Sequence, residues 1–182
     1  MKIFVIRHGL TELNKQKKVN GEIDEPLSAE GFKQAEEAVS LIPQNIKHIY
    51  TSPMLRARQT AQTLNSKLNL PLIEHAKITE IRMGSLAGKA WTEMEKGLEL
   101  KKKHRSVQFN YKDHGGESAK DVKKRVVEFV KEINGKYKDH EVLIVTHGGI
   151  IRVLHFLETG ATTQGDIEHI SPHLFDLGRI LR

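Results

Sequence analysis

The sequence contains no cysteine. That excludes disulfides, a thiolate nucleophile and every cysteine-based zinc site, and it fits a reducing compartment. No apolar run approaches the roughly 20 residues of a membrane span. The apolar stretch that opens the chain is interrupted at Arg7, too soon for the core of a signal peptide. A cytoplasmic location is therefore expected, with no membrane partner. There is no internal repeat of fixed period and no low-complexity segment. Aromatic residues are scarce, at 5% of the chain, and none interleaves with the strongest basic cluster, Lys101-Lys102-Lys103-His104-Arg105. Surfaces for single-stranded nucleic acid combine the two. The cluster is read as a solvated helix face that has the option of overhanging an acidic substrate, and no nucleic-acid partner is expected.

What is present describes an ordinary folded chain. At 182 residues, with 38% apolar and 29% charged side chains, it suits one domain, residues 1–182, with a sizeable core. The net charge of +6 fits an anionic ligand. Short apolar runs alternate with helical patterns. Strands are expected over 2–6, 46–51, 71–74, 142–146 and 173–177, the last antiparallel at an edge. Ser28 caps a helix whose face is Phe32, Ala35, Val39 and Ile42, stopped by Pro43. Ser52-Pro53 opens another, with Ala57, Ala61, Leu64 and Leu68 as its stripe. A capping box over 92–95 opens a third, and Ser118 caps a fourth with Val122, Val126, Phe129, Val130 and Ile133 on one face. A mostly buried helix over 150–157 ends near Gly160. This alternation predicts an α/β fold: a three-layer α/β/α arrangement with a mostly parallel central sheet.

Two of the strands end alike. Ile3-Phe4-Val5-Ile6 leads into Arg7-His8-Gly9, and Val142-Leu143-Ile144-Val145-Thr146 leads into His147-Gly148-Gly149. Ligands of open α/β sheets bind beyond the carboxyl ends of the strands, so both histidines belong at one edge. Glycine after histidine permits close approach of a ligand, and His8 is read as a nucleophile. Arg56 falls in the first turn of a helix that starts just past a strand, where free N–H groups favour phosphate; on local sequence it reads equally as a surface arginine. Glu80, between Ile78 and Ile81, is a general acid in partly apolar surroundings or an exposed loop glutamate. Thr11 and Asn14 are hydrogen-bond donors near His8 or plain loop polars. Gly88-Lys89 is not a P-loop, because Met83 and Ala90 stand where that motif needs glycine and a hydroxyl. Glu168, His169 and His173 are not read as a metal site, because Ser171-Pro172 breaks any helical pairing. Arg7, His8, Arg56 and His147 together make a cationic pocket suited to a phosphoryl group, with arginine forks matching its oxygens. Neither metal nor cofactor is required.

The ordered set resembles the histidine phosphatase superfamily, the phosphoglycerate mutase-like proteins. Its marks are Arg7-His8-Gly9, Asn14, Gly21, Pro26-Leu27-Ser28, Ser52-Pro53 with Arg56, Thr60 and Ala61, Glu80 before Gly84 and Gly88, Gly116-Glu117-Ser118, and Thr146-His147-Gly148-Gly149. The resemblance implies that His8 becomes phosphohistidine and that Arg7, Arg56 and His147 bind the transferring group. It implies that Glu80 protonates the leaving group and then takes a proton from water. Asn14 would help hold the phosphate, with Thr11, Gly21 and Gly148 near the substrate. The chemistry further requires the second nitrogen of His8 to donate to a fixed acceptor, such as a backbone carbonyl, and favours a protonated His147. Arg82 replaces the acidic or small residue that many family phosphatases carry; it adds positive charge near the site or points to solvent. Met83 and Trp91 stand where the glycolytic mutases have tyrosine and lysine, and residues 96–118 are short for a mutase substrate loop. Hydrolysis of a small phosphorylated metabolite is therefore expected over mutase chemistry, and over a non-catalytic phosphate-binding role that would not need Glu80. The oligomeric expectation is a monomer or homodimer.

Overall fold

The two most apolar runs of the chain lie side by side at the centre of the sheet. In the computed structural model, which describes residues 1–163 and 165–182, β1 (Lys2–Arg7) and β4 (Val142–Thr146) pair in parallel, with Val5 opposite Ile144 and Arg7 opposite Thr146. β2 (His48–Thr51) flanks β4 and β3 (Leu72–Glu74) flanks β2, both in parallel. β5 (Pro172–Asp176) runs antiparallel along β1. The described residues thus form a five-stranded sheet in the order β3-β2-β4-β1-β5, with one antiparallel edge. Every residue of β4 is buried. A strand covered on both faces has no solvent side to alternate with, so it reads as an unbroken apolar run.

Around the sheet lie α1 (Glu12–Lys15), α2 (Ala29–Glu37), α3 (Leu55–Leu68), α4 (Gly97–Arg105), α5 (Ala119–Ile133), α6 (Gly148–Thr159) and α7 (Leu177–Ile180). The period-two alternation of strands divides the core into two layers. Ile6, Ile49, Leu143 and Val145 pack against Ala35 of α2 and Ala57, Ala61 and Leu64 of α3. Ile3, Val5, Tyr50 and Ile144 pack on the other face against Val126 and Phe129 of α5 and Ile150 and Ile151 of α6. Each such aliphatic side chain contributes roughly 1.5–3 kcal/mol on burial. The architecture is the expected three-layer α/β/α. No helix among the described residues is long and apolar enough to cross a membrane.

Most element boundaries follow their caps. Ser28 Oγ accepts the Gly31 N–H at 3.1 Å, and Ser118 and Asp121 form a reciprocal capping box. Gly160 closes α6 in the left-handed region, at φ +69°. Three boundaries differ from expectation. The helix after Ser28 tightens into a 3-10 turn at Ala38–Leu41. The helix expected at Pro53 starts at Leu55, because the Ser52 hydroxyl is engaged with His147 and the Met54 N–H. The capping-box segment forms only a 3-10 turn, Trp91–Glu93, closed by the Glu93 carboxylate on the Ala90 N–H at 2.6 Å. The chain then turns through Lys96 at φ +53° before α4 begins at Gly97. A Cβ on Gly97 would sit 1.7 Å from the Trp91 carbonyl oxygen, so this corner admits only glycine.

The parallel strands bring their carboxyl ends to one edge. His8 follows β1, Ser52 follows β2 and His147 follows β4.

Candidate active site

His8 is fixed by its own backbone and by β4. Its N–H donates to the Thr146 carbonyl at 2.9 Å, and its Nδ1–H donates to the Gly9 carbonyl at 2.7 Å. That acceptor sets the tautomer and leaves a lone pair on Nε2. Arg56 Nε–H donates to this same Nε2 at 3.2 Å. Burial, then the charges of Arg56, His147 and Arg7, hold the His8 pKa well below its usual value. The imidazole is therefore neutral, with its unprotonated Nε2 turned toward Arg56. The backbone-carbonyl partner expected from the chemistry is Gly9.

Arg56 is fully buried in the first turn of α3. It donates from Nη1 to Ile23 O at 2.7 Å and from Nη2 to Gly21 O at 3.1 Å. Gly21, at φ +50°, thus presents a carbonyl to Arg56. Thr60, one turn along α3, donates to the Arg56 carbonyl at 2.8 Å and accepts the Gly9 N–H at 3.0 Å. The helix and the His8 turn are thereby locked together. Arg7 donates from Nη1 to Ile167 O at 2.6 Å, while its Nε is buried without a partner. Burial, partly offset by Glu80, and the like charge of Arg56 lower its pKa to about 10, which leaves it cationic at neutral pH.

His147 caps the N-terminal end of α6. Its Nε2 meets Ser52 Oγ at 2.8 Å, its Nδ1 is buried and unpartnered, and its ring centroid lies 5.1 Å from that of His8. Burial and the charges of Arg56 and Arg7 push its pKa well below the usual value. The protonated form expected from the chemistry is thus not the form that the protein's own charges favour. Two arginines raise the cost of a third cation, and only an anion among them reverses the balance. Arg7 Nε and His147 Nδ1, without partners among the described residues, belong to the same cationic cluster.

Glu80 stands on the loop after a 3-10 turn, Ala76–Ile78. Its Oε1 accepts the Ile81 N–H at 2.9 Å and its Oε2 lies 3.4 Å from the Gly149 N, in the first turn of α6. Arg125 of α5 holds the loop in place. It donates to the carbonyls of Lys77 and Thr79, both at 2.8 Å, and to that of Glu80 at 3.3 Å, and forms a two-pronged pair with Glu117, each prong 3.1 Å. Glu117 in turn accepts the Arg82 N–H at 3.0 Å.

A cavity of about 610 Å³ opens over this edge. Arg7, Asn14, Gly21, Glu80 and Gly148 line it. His8, Arg56 and His147 are buried and lie outside the lining; His169, which lines the cavity, donates its Nδ1–H to the His8 carbonyl at 2.7 Å. Two expected residues are elsewhere. Thr11 is buried as the cap of α1, its hydroxyl accepting from the Asn14 N–H and the Asn20 side chain. Arg82 lies outside the cavity lining, its side chain largely exposed and 4.0 Å from Glu117. The basic cluster departs from a uniformly solvated face. Lys102 and Lys103 are exposed, whereas Lys101, His104 and Arg105, at helical spacing of three and four, line the cavity.

Sequence reasoning missed Ser52 as the partner of His147, the Arg125–Glu117 brace and the contributions of Arg152 and His169. Arg152 carried a signal, as an arginine inside an otherwise apolar helix. Arg125 carried none, since it sits on an amphipathic helix among other cations.

Three comparisons bear on this arrangement. The family model described as "Histidine phosphatase superfamily (branch 1)" matches residues 3–171. A probable phosphatase of Schizosaccharomyces pombe is 36% identical over 166 residues, covering 87% of this chain and 74% of that protein. A metal-independent phosphoserine phosphatase of Arabidopsis thaliana is 29% identical over 183 residues, covering 96% of this chain and 76% of that protein. Among solved structures, a mycobacterial glucosyl-3-phosphoglycerate phosphatase complexed with VO3 aligns with a TM-score of 0.84 at 24% identity, covering 95% of this chain and 90% of that one.

Proposed function

The chain belongs to the histidine phosphatase superfamily, and from that premise we propose that it hydrolyses small phosphomonoesters through a phosphohistidine at Nε2 of His8. The observation that carries this reading is the orientation of His8: Nδ1–H is committed to the Gly9 carbonyl, and Nε2 keeps its lone pair against Arg56. In the first step the Arg56 Nε–H turns from His8 to a phosphate oxygen. Nε2 attacks phosphorus, the bond to the ester oxygen breaks, and Glu80 as its carboxylic acid gives that oxygen a proton. In the second step Glu80, now a carboxylate, takes a proton from water as the water oxygen attacks phosphorus. The P–N bond breaks and His8 returns to its neutral form. Arg7, Arg56 and His147 neutralise the charge on the equatorial oxygens, which is most of what phosphoryl transfer asks of a protein.

No step needs a metal, because the arginines supply the positive charge. The cysteine-free chain supports a reducing, cytoplasmic setting for this chemistry. The test is rapid quenching with a radiolabelled phosphomonoester. The native protein yields an acid-labile phosphoenzyme and releases inorganic phosphate, and His8→Ala yields neither. Labelling or undiminished turnover of His8→Ala refutes the nucleophile.

A further inference from the structure

Arg56 is aimed by two backbone carbonyls, and a carboxylate stands between them in the sequence. The turn Asn20-Gly21-Glu22-Ile23-Asp24 presents the Gly21 and Ile23 oxygens to Arg56 Nη2 and Nη1. Its two ends are tied down. Asn20 donates to Thr11 Oγ1 at 3.1 Å and to Glu25 Oε1 at 2.6 Å, and Asp24 accepts the Leu55 N–H at 2.6 Å. Glu22, at the tip, makes a different connection. Its Oε2 accepts the Met83 N–H and its Oε1 the Gly84 N–H, both at 2.8 Å, across 61 and 62 residues of chain. Bonds to an ionised acceptor are roughly twice as strong as neutral ones, and two from one carboxylate also fix its orientation.

Those two N–H groups belong to the loop that carries Glu80. Arg125 braces that loop at the carbonyls of Lys77, Thr79 and Glu80, and Glu117 braces it at the Arg82 N–H. Three successive N–H groups, those of Arg82, Met83 and Gly84, are thus held by carboxylates, the first by Glu117 and the next two by Glu22. Gly84 has little freedom of its own: at φ +58°, a Cβ there would lie 1.7 Å from the His114 carbonyl oxygen. The loop is therefore a fixed anchor for Glu22. A second link runs beside the first, with the Val19 N–H on the Lys89 carbonyl at 3.0 Å and the Gly88 N–H on the Val19 carbonyl at 2.8 Å. It stops short of Gly21, so of these contacts the Glu22 carboxylate alone reaches the tip of the turn. Glu22 is exposed, and its removal leaves no charge stranded in the interior.

We propose that Glu22 is a positioning residue for Arg56. It holds the Gly21 and Ile23 carbonyls, and through them the guanidinium, against the braced loop of Glu80. This rests on the phosphatase reading above and adds to it a tie between the two halves of the site. The anchors set the direction in which the tie acts. Arg125 and Glu117 fix the Glu80 loop without Glu22, whereas both oxygen acceptors of the Arg56 guanidinium lie on the turn that Glu22 holds. Loss of Glu22 therefore loosens the group that binds the phosphoryl oxygens and spares the acid.

The test is Glu22→Ala, read by kcat/KM with p-nitrophenyl phosphate and with an alkyl phosphate, by the Kd of inorganic phosphate, and by thermal unfolding. The expected fall in kcat/KM is about 10-fold and equal for the two substrates, with phosphate bound more weakly by a similar factor. It stays below the roughly 100-fold cost of a 1 Å misplacement because Asn20 and Asp24 still hold the ends of the turn. Glu22→Gln, which keeps one acceptor oxygen, falls between the native protein and Glu22→Ala. In an Arg56→Lys background Glu22→Ala costs less than about 2-fold, since the fork that it aims is gone. A lower Tm with unchanged phosphate affinity makes Glu22 purely structural and overturns the proposal. So does a larger loss with the alkyl phosphate, which would place the effect on Glu80, or the full 10-fold loss in both backgrounds. If Arg56→Lys does not fold, the substrate pair and the phosphate affinity of Glu22→Ala decide the matter. Failure of the phosphatase reading looks different: the native protein turns over neither substrate, while its phosphate affinity still reports on Glu22 and Arg56.

Discussion

A side chain at Gly149 would crowd the proposed acid, and replacing this glycine with alanine separates catalysis from stability. A Cβ built there lies 2.4 Å from Glu80 Oε1 and 2.5 Å from Ile81 Cδ1, below the 3.0 Å that real Cβ contacts respect. Both neighbours are ends of flexible side chains, so they give way by rotation and the backbone stays. On the stability side, alanine in a helix gains up to about 1 kcal/mol over glycine, and crowding Ile81 costs about 1–3 kcal/mol. The net loss is at most about 3 kcal/mol, a fall in Tm of no more than roughly 6–12 °C for a chain of this size. On the catalytic side, ordinary van der Waals contact begins near 3.4 Å, so the Glu80 carboxylate must retreat by roughly 1 Å, a displacement that costs on the order of 10²-fold. A general acid is worth about 10²–10⁴-fold only where the leaving group needs its proton. Gly149→Ala is therefore expected to lose about 100-fold in kcat/KM with alkyl phosphates and less than about 10-fold with p-nitrophenyl phosphate. Its slope across a leaving-group series should match that of Glu80→Gln. The measurement is kcat/KM across that series, with thermal unfolding alongside. A uniform loss at all leaving groups, or a wild-type slope, refutes the reasoning.

Two further outcomes follow from the brace and the buried imidazoles. Arg125→Met strands the Glu117 carboxylate and frees the Glu80 loop; breaking a pair this buried costs about 3–5 kcal/mol, a Tm drop of roughly 6–20 °C. Calorimetry showing less than about 1 kcal/mol would remove Arg125 as the brace. Stability also falls in acid. Burial, followed by nearby arginines, lowers the pKa of His104 and His169 to about 3 in the folded chain, against about 6.5 unfolded. Above pH 6.5 both are neutral in both states and contribute no pH dependence. Below it the unfolded chain takes up protons that the folded chain refuses, so each removes up to about 1.4 kcal/mol per pH unit until pH 3. His8 and His147 are shifted in the same direction and add to the loss. Tm measured from pH 7 to 4.5 should fall steadily below 6.5, and a flat profile would contradict the burial of these rings.

The sequence by itself determined the layers and the meeting of the two histidines at one sheet edge, because both are written locally. β1 and β4 are buried on two faces, so their apolar runs admit no other reading, and each ends in a histidine and a glycine that the chain must deliver to the same sheet edge. Ser28, Ser118 and Gly160 mark helix ends because capping involves residues three or four apart. What only the tertiary structure decided involves partners distant in the chain. Ser52 reads as a helix cap until the parallel pairing of β2 and β4 sets it against His147, 95 residues away. Thr11 and Arg82 have the right chemistry and proximity in sequence, but one is turned into the cap of α1 and the other toward solvent. The basic cluster of α4 divides between solvent and cavity according to where that helix docks, since helical spacing defines faces and only packing assigns each face an environment. Arg125 braces Glu80 across 45 residues, and nothing in an amphipathic helix distinguishes a cation that braces a distant loop from those facing water.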